Sequence, residues 1–100
     1  MVVVEQMIQK VFPGKWDALD EIDKRYDVVE SRHGFPAKKR LMSISSVYDL
    51  NTILIVREWK SMAAMEHAYE SAFADPEHQA LAAEIGNIVE SSRIELYSPR

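Results

Sequence analysis

Apolar positions alternate with polar ones along four stretches of the chain and recur at helical spacing along three. Residues 2–11, VVVEQMIQKV, are rich in β-branched side chains and read as a strand. Val2, Val4 and Ile8 share one face with Gln6 and Lys10, while Val3, Met7 and Val11 share the other with Glu5 and Gln9. A strand wet on one side alternates more cleanly than this, so the first strand is expected to be covered, in part, on both sides. Pro13-Gly14 ends it. Trp16, Leu19, Ile22, Tyr26 and Val29 then follow at helical spacing, predicting a helix from about Lys15 to about Arg32, with Gly34 at its C-terminal cap and Pro36 beyond.

Residues 38–48, KKRLMSISSVY, alternate again, with Arg40, Met42, Ile44, Ser46 and Tyr48 on one face. After the short turn Asp49-Leu50-Asn51, Thr52–Trp59 (TILIVREW) is the most strand-like run, and the two strands predict an antiparallel hairpin. Ser61 is placed to cap a helix whose stripe is Met62, Met65, Tyr69, Ala72 and Phe73. Asp75-Pro76 starts another, with Leu81, Ala82, Ile85, Ile88 and Val89 as its stripe, because proline is favoured in the first helical position. The last strand is expected at about Ser92–Tyr97.

The order β-α-β-β-α(α)-β is the ferredoxin-like split pattern. It predicts an α+β fold in which a four-stranded antiparallel sheet carries its helices on one face, the whole of 1–100 forming a single domain. The opposite face then lacks an intrachain cover, and a second copy of the chain in a homodimer is the simplest source of one.

Composition narrows the class. The chain is 47% apolar and 28% charged with a net charge of −4, which excludes disorder and argues against nucleic-acid binding. No apolar run approaches the roughly 20 residues of a membrane span. There is no cysteine, so disulfides, thiolate nucleophiles and thiolate metal sites are excluded. The N-terminus lacks the basic and apolar regions of a signal peptide, which makes the cytoplasm the expected compartment.

Arg57-Glu58-Trp59-Lys60-Ser61 at the strand-to-helix junction, Phe73-Ala74-Asp75-Pro76-Glu77, Leu81-Ala82, and Val89-Glu90-Ser91-Ser92 together resemble the NIPSNAP-like branch of the dimeric α+β barrel superfamily, which also contains the antibiotic-biosynthesis monooxygenases. The likeness covers roughly residues 52–97 by motif and the rest through element order. It implies a homodimer with facing sheets, and activities ranging from cofactor-free oxygenation of aromatic compounds to haem breakdown to no known chemistry. The haem-degrading branch uses an Asn on the first strand, a Trp on the helix after the third and a His on the next helical segment. Here those places fall at Gln6, near Ala68 or Tyr69, and near Leu81 with His78 a turn away, so the resemblance does not extend to haem breakdown.

No phosphate-binding loop, dinucleotide fingerprint or nucleophile elbow is present, and no cofactor is expected. His67 and His78 lie too far apart for a helical two-histidine metal motif, and no metal site is expected. His33 reads as a residue at a helix C-terminus interacting with the dipole. Arg57 and Glu58 follow four apolar residues in the strand expected at the centre, where a buried charge requires a partner. Trp59, Met65 and Phe73, with Gln6, Arg40, Met42 and Glu58, are the expected lining of a pocket for a small apolar or aromatic ligand. At ordinary helical spacing, the apolar members read equally as plain core. Were the protein a cofactor-independent monooxygenase of phenols or quinols, His67 would be its base, with Tyr69 and Arg57 orienting the substrate. The third reading is a structural dimerisation module with a filled core.

Overall fold

In the computed structural model, which describes residues 1–100, the β-branched N-terminal run forms β1 (Val3–Val11). Gly14, at φ +75°, turns the chain into α1 (Trp16–Arg32), whose Leu19, Ile22 and Val29 are buried. Gly34, at φ +79°, ends that helix in the left-handed conformation that glycine adopts without a steric cost, and the Phe35 N–H donates back to the Glu30 carbonyl at 3.2 Å. Then come β2 (Lys39–Met42), β3 (Thr52–Trp59), α2 (Met62–Phe73), α3 (Pro76–Ile85) and β4 (Val89–Tyr97). Asp75 caps α3 by accepting the Glu77 N–H at 2.9 Å, with Pro76 following in the first turn. Ser61 caps α2 by accepting the Ala64 N–H at 3.0 Å. Replacing Ser61 with Ala strands that donor and is expected to cost about 1 kcal/mol, read as a lower urea midpoint at unchanged slope.

The sheet has the order β2-β3-β1-β4 with antiparallel pairing throughout. The expected architecture is therefore present, with one shortened element. The strand expected over 38–48 stops at Met42. Its serines explain why: Ser43 and Ser46 hydroxyls bond each other at 2.6 Å, and Ser46 Oγ accepts the Tyr48 N–H at 3.1 Å, so local side-chain bonds replace the ladder. At the other end of the chain, β4 starts earlier than expected, at Val89.

All three helices pack on one face, giving a two-layer slab 17 Å through its thinnest direction. The pairings Glu5↔Arg57, Met7↔Ile55 and Gln9↔Ile53 place the odd-numbered residues of β1 and β3 side by side under the helices. Along β1 that row reads Val3-Glu5-Met7-Gln9-Val11, with an apolar residue at each end and two polar ones between. The core divides accordingly. Val11, Ile53, Leu19, Ile22, Leu81 and their neighbours form one cluster, and Val3, Trp59, Met65 and Ala68 form another. The opposite face presents Val4, Gln6, Ile8, Leu54 and Val56, and no helix of this chain covers it.

Candidate functional site

A cavity of about 400 Å³ opens beneath the helices, with Met7, Gln9, Ile55 and Arg57 from the sheet among its lining. Tyr26 of α1, Tyr69 and Phe73 of α2, and His78 of α3 stand around it. Phe73 (59% exposed) and Ile94 (48%) form an apolar rim where no helix covers β4. The volume lies within the roughly 300–1,000 Å³ range of small-molecule sites, so a wholly filled core does not describe this chain.

Two buried polar assemblies frame the cavity. In the first, Glu5 (1% exposed) accepts the Trp59 Nε1–H at 3.0 Å and a short bond from the Tyr69 hydroxyl. Phe35 packs edge-on against both aromatic partners, at 5.2 Å from Trp59 and 4.9 Å from Tyr69. Burial, reinforced by the bond to Glu5, raises the Tyr69 phenol well above its ordinary value, so the hydroxyl stays protonated and is a donor rather than a base.

In the second assembly, Arg57 (3% exposed) donates from Nη2 to Glu30 Oε1 at 2.6 Å, and its guanidinium carbon lies 5.1 Å from the Phe35 ring centre. Lys38 Nζ lies 3.0 Å from Asp27 and 3.6 Å from Glu30. Arg40 bonds Asp20 at 2.7 Å, and its Nε comes within 2.8 Å of Asp23 Oδ2, outside hydrogen-bonding geometry. Burial is the main influence on Asp23 and raises its carboxyl above the ordinary range, against the pull of Lys38 and Arg40. Three cations, Lys38, Arg40 and Arg57, thus meet four carboxylates, Asp20, Asp23, Asp27 and Glu30.

His78 is buried between the rings of Tyr26 and Phe73, each with its centre 5.6 Å away. Burial lowers the pKa of its imidazole, and burial likewise raises the Tyr26 phenol to about 12. A folded state that keeps His78 neutral competes with an unfolded chain whose histidine takes a proton below about pH 6.5. Stability is therefore expected to fall as pH drops through that value. Urea midpoints at pH 7.5 and 5.5 check this, since His78→Phe should show a smaller drop than the parent chain.

The structure brings Arg57, Tyr69 and Phe73 to the cavity and places the other expected residues elsewhere. His67 lies on the exposed side of α2, away from the cavity, while His78 lines it. Gln6 and Glu58 stand on the uncovered sheet face, because even-numbered residues of β1 and β3 point away from the helices. Met42 is 61% exposed beyond the cavity, and Arg40 borders a separate groove beside Lys38. Trp59 and Met65 fill the smaller core cluster and do not line the cavity wall. Among the cavity residues outside the expected set are Met7, Gln9, Tyr26, Ile55 and His78, with Glu5 behind Tyr69. Of these, His78 carries a sequence signal: with Leu81, Ala82 and Ile85 it completes a helical stripe.

His33 does more than face a helix dipole. Its Nδ1 lies 2.6 Å from Ser71 Oγ and its Nε2 2.7 Å from Asp75 Oδ2, which joins the end of α1 to the α2–α3 junction. The bond from His33 is the main reason the Asp75 carboxyl lies below its ordinary range. The trio has the residue types of a hydrolytic triad, but Ser71 sits in the last turn of α2, where backbone carbonyls rather than N–H donors are free to face a developing oxyanion. It serves as a helix tie. No group of three or more His, Asp or Glu side chains has metal-holding geometry, and no helix is long and apolar enough to cross a membrane.

No family model and no curated protein matches this chain. Solved structures do. A NIPSNAP family protein from Agrobacterium tumefaciens superposes with a TM-score of 0.84 over 100% of this chain and 94% of its own, at 15% identity. A NIPSNAP domain protein from Burkholderia xenovorans gives 0.83 over 98% and 94%, at 17% identity. The chain has a NIPSNAP-like fold. A cofactor-independent oxygenase from Streptomyces nogalater shares it at a TM-score of 0.72 over 99% and 93%, at 18% identity. NIPSNAP family proteins and this oxygenase thus share one fold with the chain.

Proposed function

We propose that the protein is a cytoplasmic homodimer that binds a small, largely apolar or aromatic ligand in the cavity of each subunit. The observation that carries this reading is the cavity itself, floored by Met7 and Ile55, walled by Tyr26 and Tyr69 and rimmed by Phe73. Equilibrium dialysis with 2-naphthol tests it. Saturable binding that disappears when Ala82, a lining residue, is replaced by Phe is expected; non-saturable uptake, or uptake indifferent to Ala82→Phe, would overturn the reading.

The homodimer rests on the uncovered sheet face and on the segment between β2 and β3. Tyr48 of that segment comes within 3.5 Å of Arg93, which stands on the open face beside Ile8, while Ile44 (90% exposed) and Val47 (93%) project into solvent. Apolar side chains in that number on one side favour a second copy as cover. Light scattering is expected to give twice the chain mass of 11.5 kDa, and a mass of 11.5 kDa at micromolar concentration would overturn the pairing.

A second reading, a cofactor-free oxygenase of phenols or quinols, is favoured by His78, a neutral imidazole in the cavity wall able to accept a phenolic proton. An oxygen electrode separates the two readings. Consumption with quinols or anthrones that is lost in His78→Phe supports the oxygenase; binding without consumption supports the binding protein.

A further inference from the structure

We propose that the ligand enters the cavity through the gap between α3 and β4, and that Gly86 keeps this gap passable. This deepens the ligand-binding reading above and rests on it.

Exposure around the cavity is one-sided. Gln9 of β1 and Ile55 and Arg57 of β3 are buried, while Ala82 and Gly86 at the end of α3 and Ser92 and Ile94 of β4 are exposed. β4 is an edge of the sheet, and its Ser92 and Ile94 pair with Gln9 and Met7, which puts them on the helix side. The cavity is therefore floored by the two inner strands and opens over the edge strand. Only Gly86, Asn87 and Ile88 separate α3 from β4, so helix and strand part from a shared root. The gap lies on the helix side of the sheet, away from the face proposed for the second copy.

The other approach is shut. Glu30, Lys38 and Arg57 line both the cavity and the groove beside Arg40. Arg57 holds Glu30 at 2.6 Å, and Lys38 lies 3.0 Å from Asp27 and 3.6 Å from Glu30. The Lys38 and Glu30 side chains are only 8% and 12% exposed. A ligand passing that way would part buried ion pairs and leave their charges unmatched. Passage between α3 and β4 breaks none. The charged side chains of α3 turn to α1 instead, Glu77 to Arg32 and Glu84 to Arg25.

Gly86 is the unusual residue of the gap. Gly14 and Gly34 take positive φ, but Gly86 sits at φ −60° and ψ −19°, a conformation open to any residue. A Cβ placed on it would meet nothing nearer than the Ala83 carbonyl oxygen at 3.8 Å, an ordinary contact. Neither the backbone nor the packing of this chain requires glycine there, and glycine costs more chain entropy on folding than any other residue. What its missing side chain leaves empty is space beside the cavity, which Gly86 lines together with Ala82 one turn before it. A larger side chain at this position would narrow the gap at its root.

Stopped-flow fluorescence with 2-naphthol on the intact protein tests the entrance. A group met only in passage raises one barrier shared by entry and exit. Gly86→Leu is therefore expected to slow association and release alike, each at least tenfold, with Kd held within threefold. Gly86→Ala should fall between Gly86→Leu and the parent, and it decides the matter if leucine disturbs the fold. Ala37→Leu, on the exposed side of the groove, is expected to leave both rates at the parent values. Unchanged association in the Gly86 variants, association slowed without slower release, or slowing by Ala37→Leu would overturn the entrance and leave the cavity standing. A parent chain that does not bind 2-naphthol would overturn the cavity reading itself.

Discussion

Replacing Glu5 with Leu is expected to destabilise the protein by roughly 2–4 kcal/mol, because it strands two donors that one carboxylate now satisfies. Trp59 Nε1–H has nowhere else to turn, since Trp59 is 2% exposed. The Tyr69 hydroxyl fares better, as its ring borders the cavity and water there can replace Glu5. Glu5→Gln separates packing from hydrogen bonding. Its carbonyl oxygen can still accept from Trp59 and its amide can donate to the Tyr69 oxygen, so the expected loss shrinks to about 1–2 kcal/mol, the difference between charged and neutral hydrogen bonds. Urea unfolding monitored by tryptophan emission measures both variants. Equal losses for Leu and Gln would mean that the carboxylate's charge, rather than its two bonds, matters here.

Arg57→Met is expected to cost about 2–4 kcal/mol, near the lower part of the range for breaking a buried ion pair. Glu30 loses its partner at 2.6 Å but keeps Lys38 at 3.6 Å, and that second cation is why the cost stays below the maximum. Contact with the Phe35 ring is lost as well. The double variant Arg57→Met with Glu30→Leu removes both charges and is expected to recover at least half of the loss, since the larger part of the penalty belongs to the carboxylate left behind. Because Arg57 is buried, the effect should change little between low and moderate salt. A strong salt dependence would place the pair in water.

The elements were legible because each carries a local signal. Gly34 stops a helix, Asp75-Pro76 starts one, and TILIVREW is a strand at any position in a chain. The cavity was harder to find, for two physical reasons. First, β1 is apolar on both faces, so its alternation does not say whether Gln6 or Gln9 lies under the helices; that choice is made by the pairing of Met7 with Ile55 and by helices packing on the odd-numbered side. Second, the polar assemblies are long-range. Glu5 meets Trp59 54 positions on and Tyr69 64 positions on, and Arg57 meets Glu30 across 27, so no spacing motif records them. His67 illustrates the limit of neighbour reading. It has acidic sequence neighbours in Glu66 and Glu70, yet it falls off the stripe formed by Met65, Tyr69 and Phe73, and the same periodicity that predicts the helix predicts its exposure.

The central place of the first strand matters at the ribosome. β1 bonds to β3 on one side and to β4 on the other, so this β-branched segment is translated well before either neighbour exists. At roughly 5–20 residues per second, the nascent polypeptide carries this sticky ribbon unaccompanied for several seconds before its second flank, ending at Tyr97, is made. Assembly must therefore wait for the tail, and a chain cut short ahead of β4 would leave one side of its own centre strand bare.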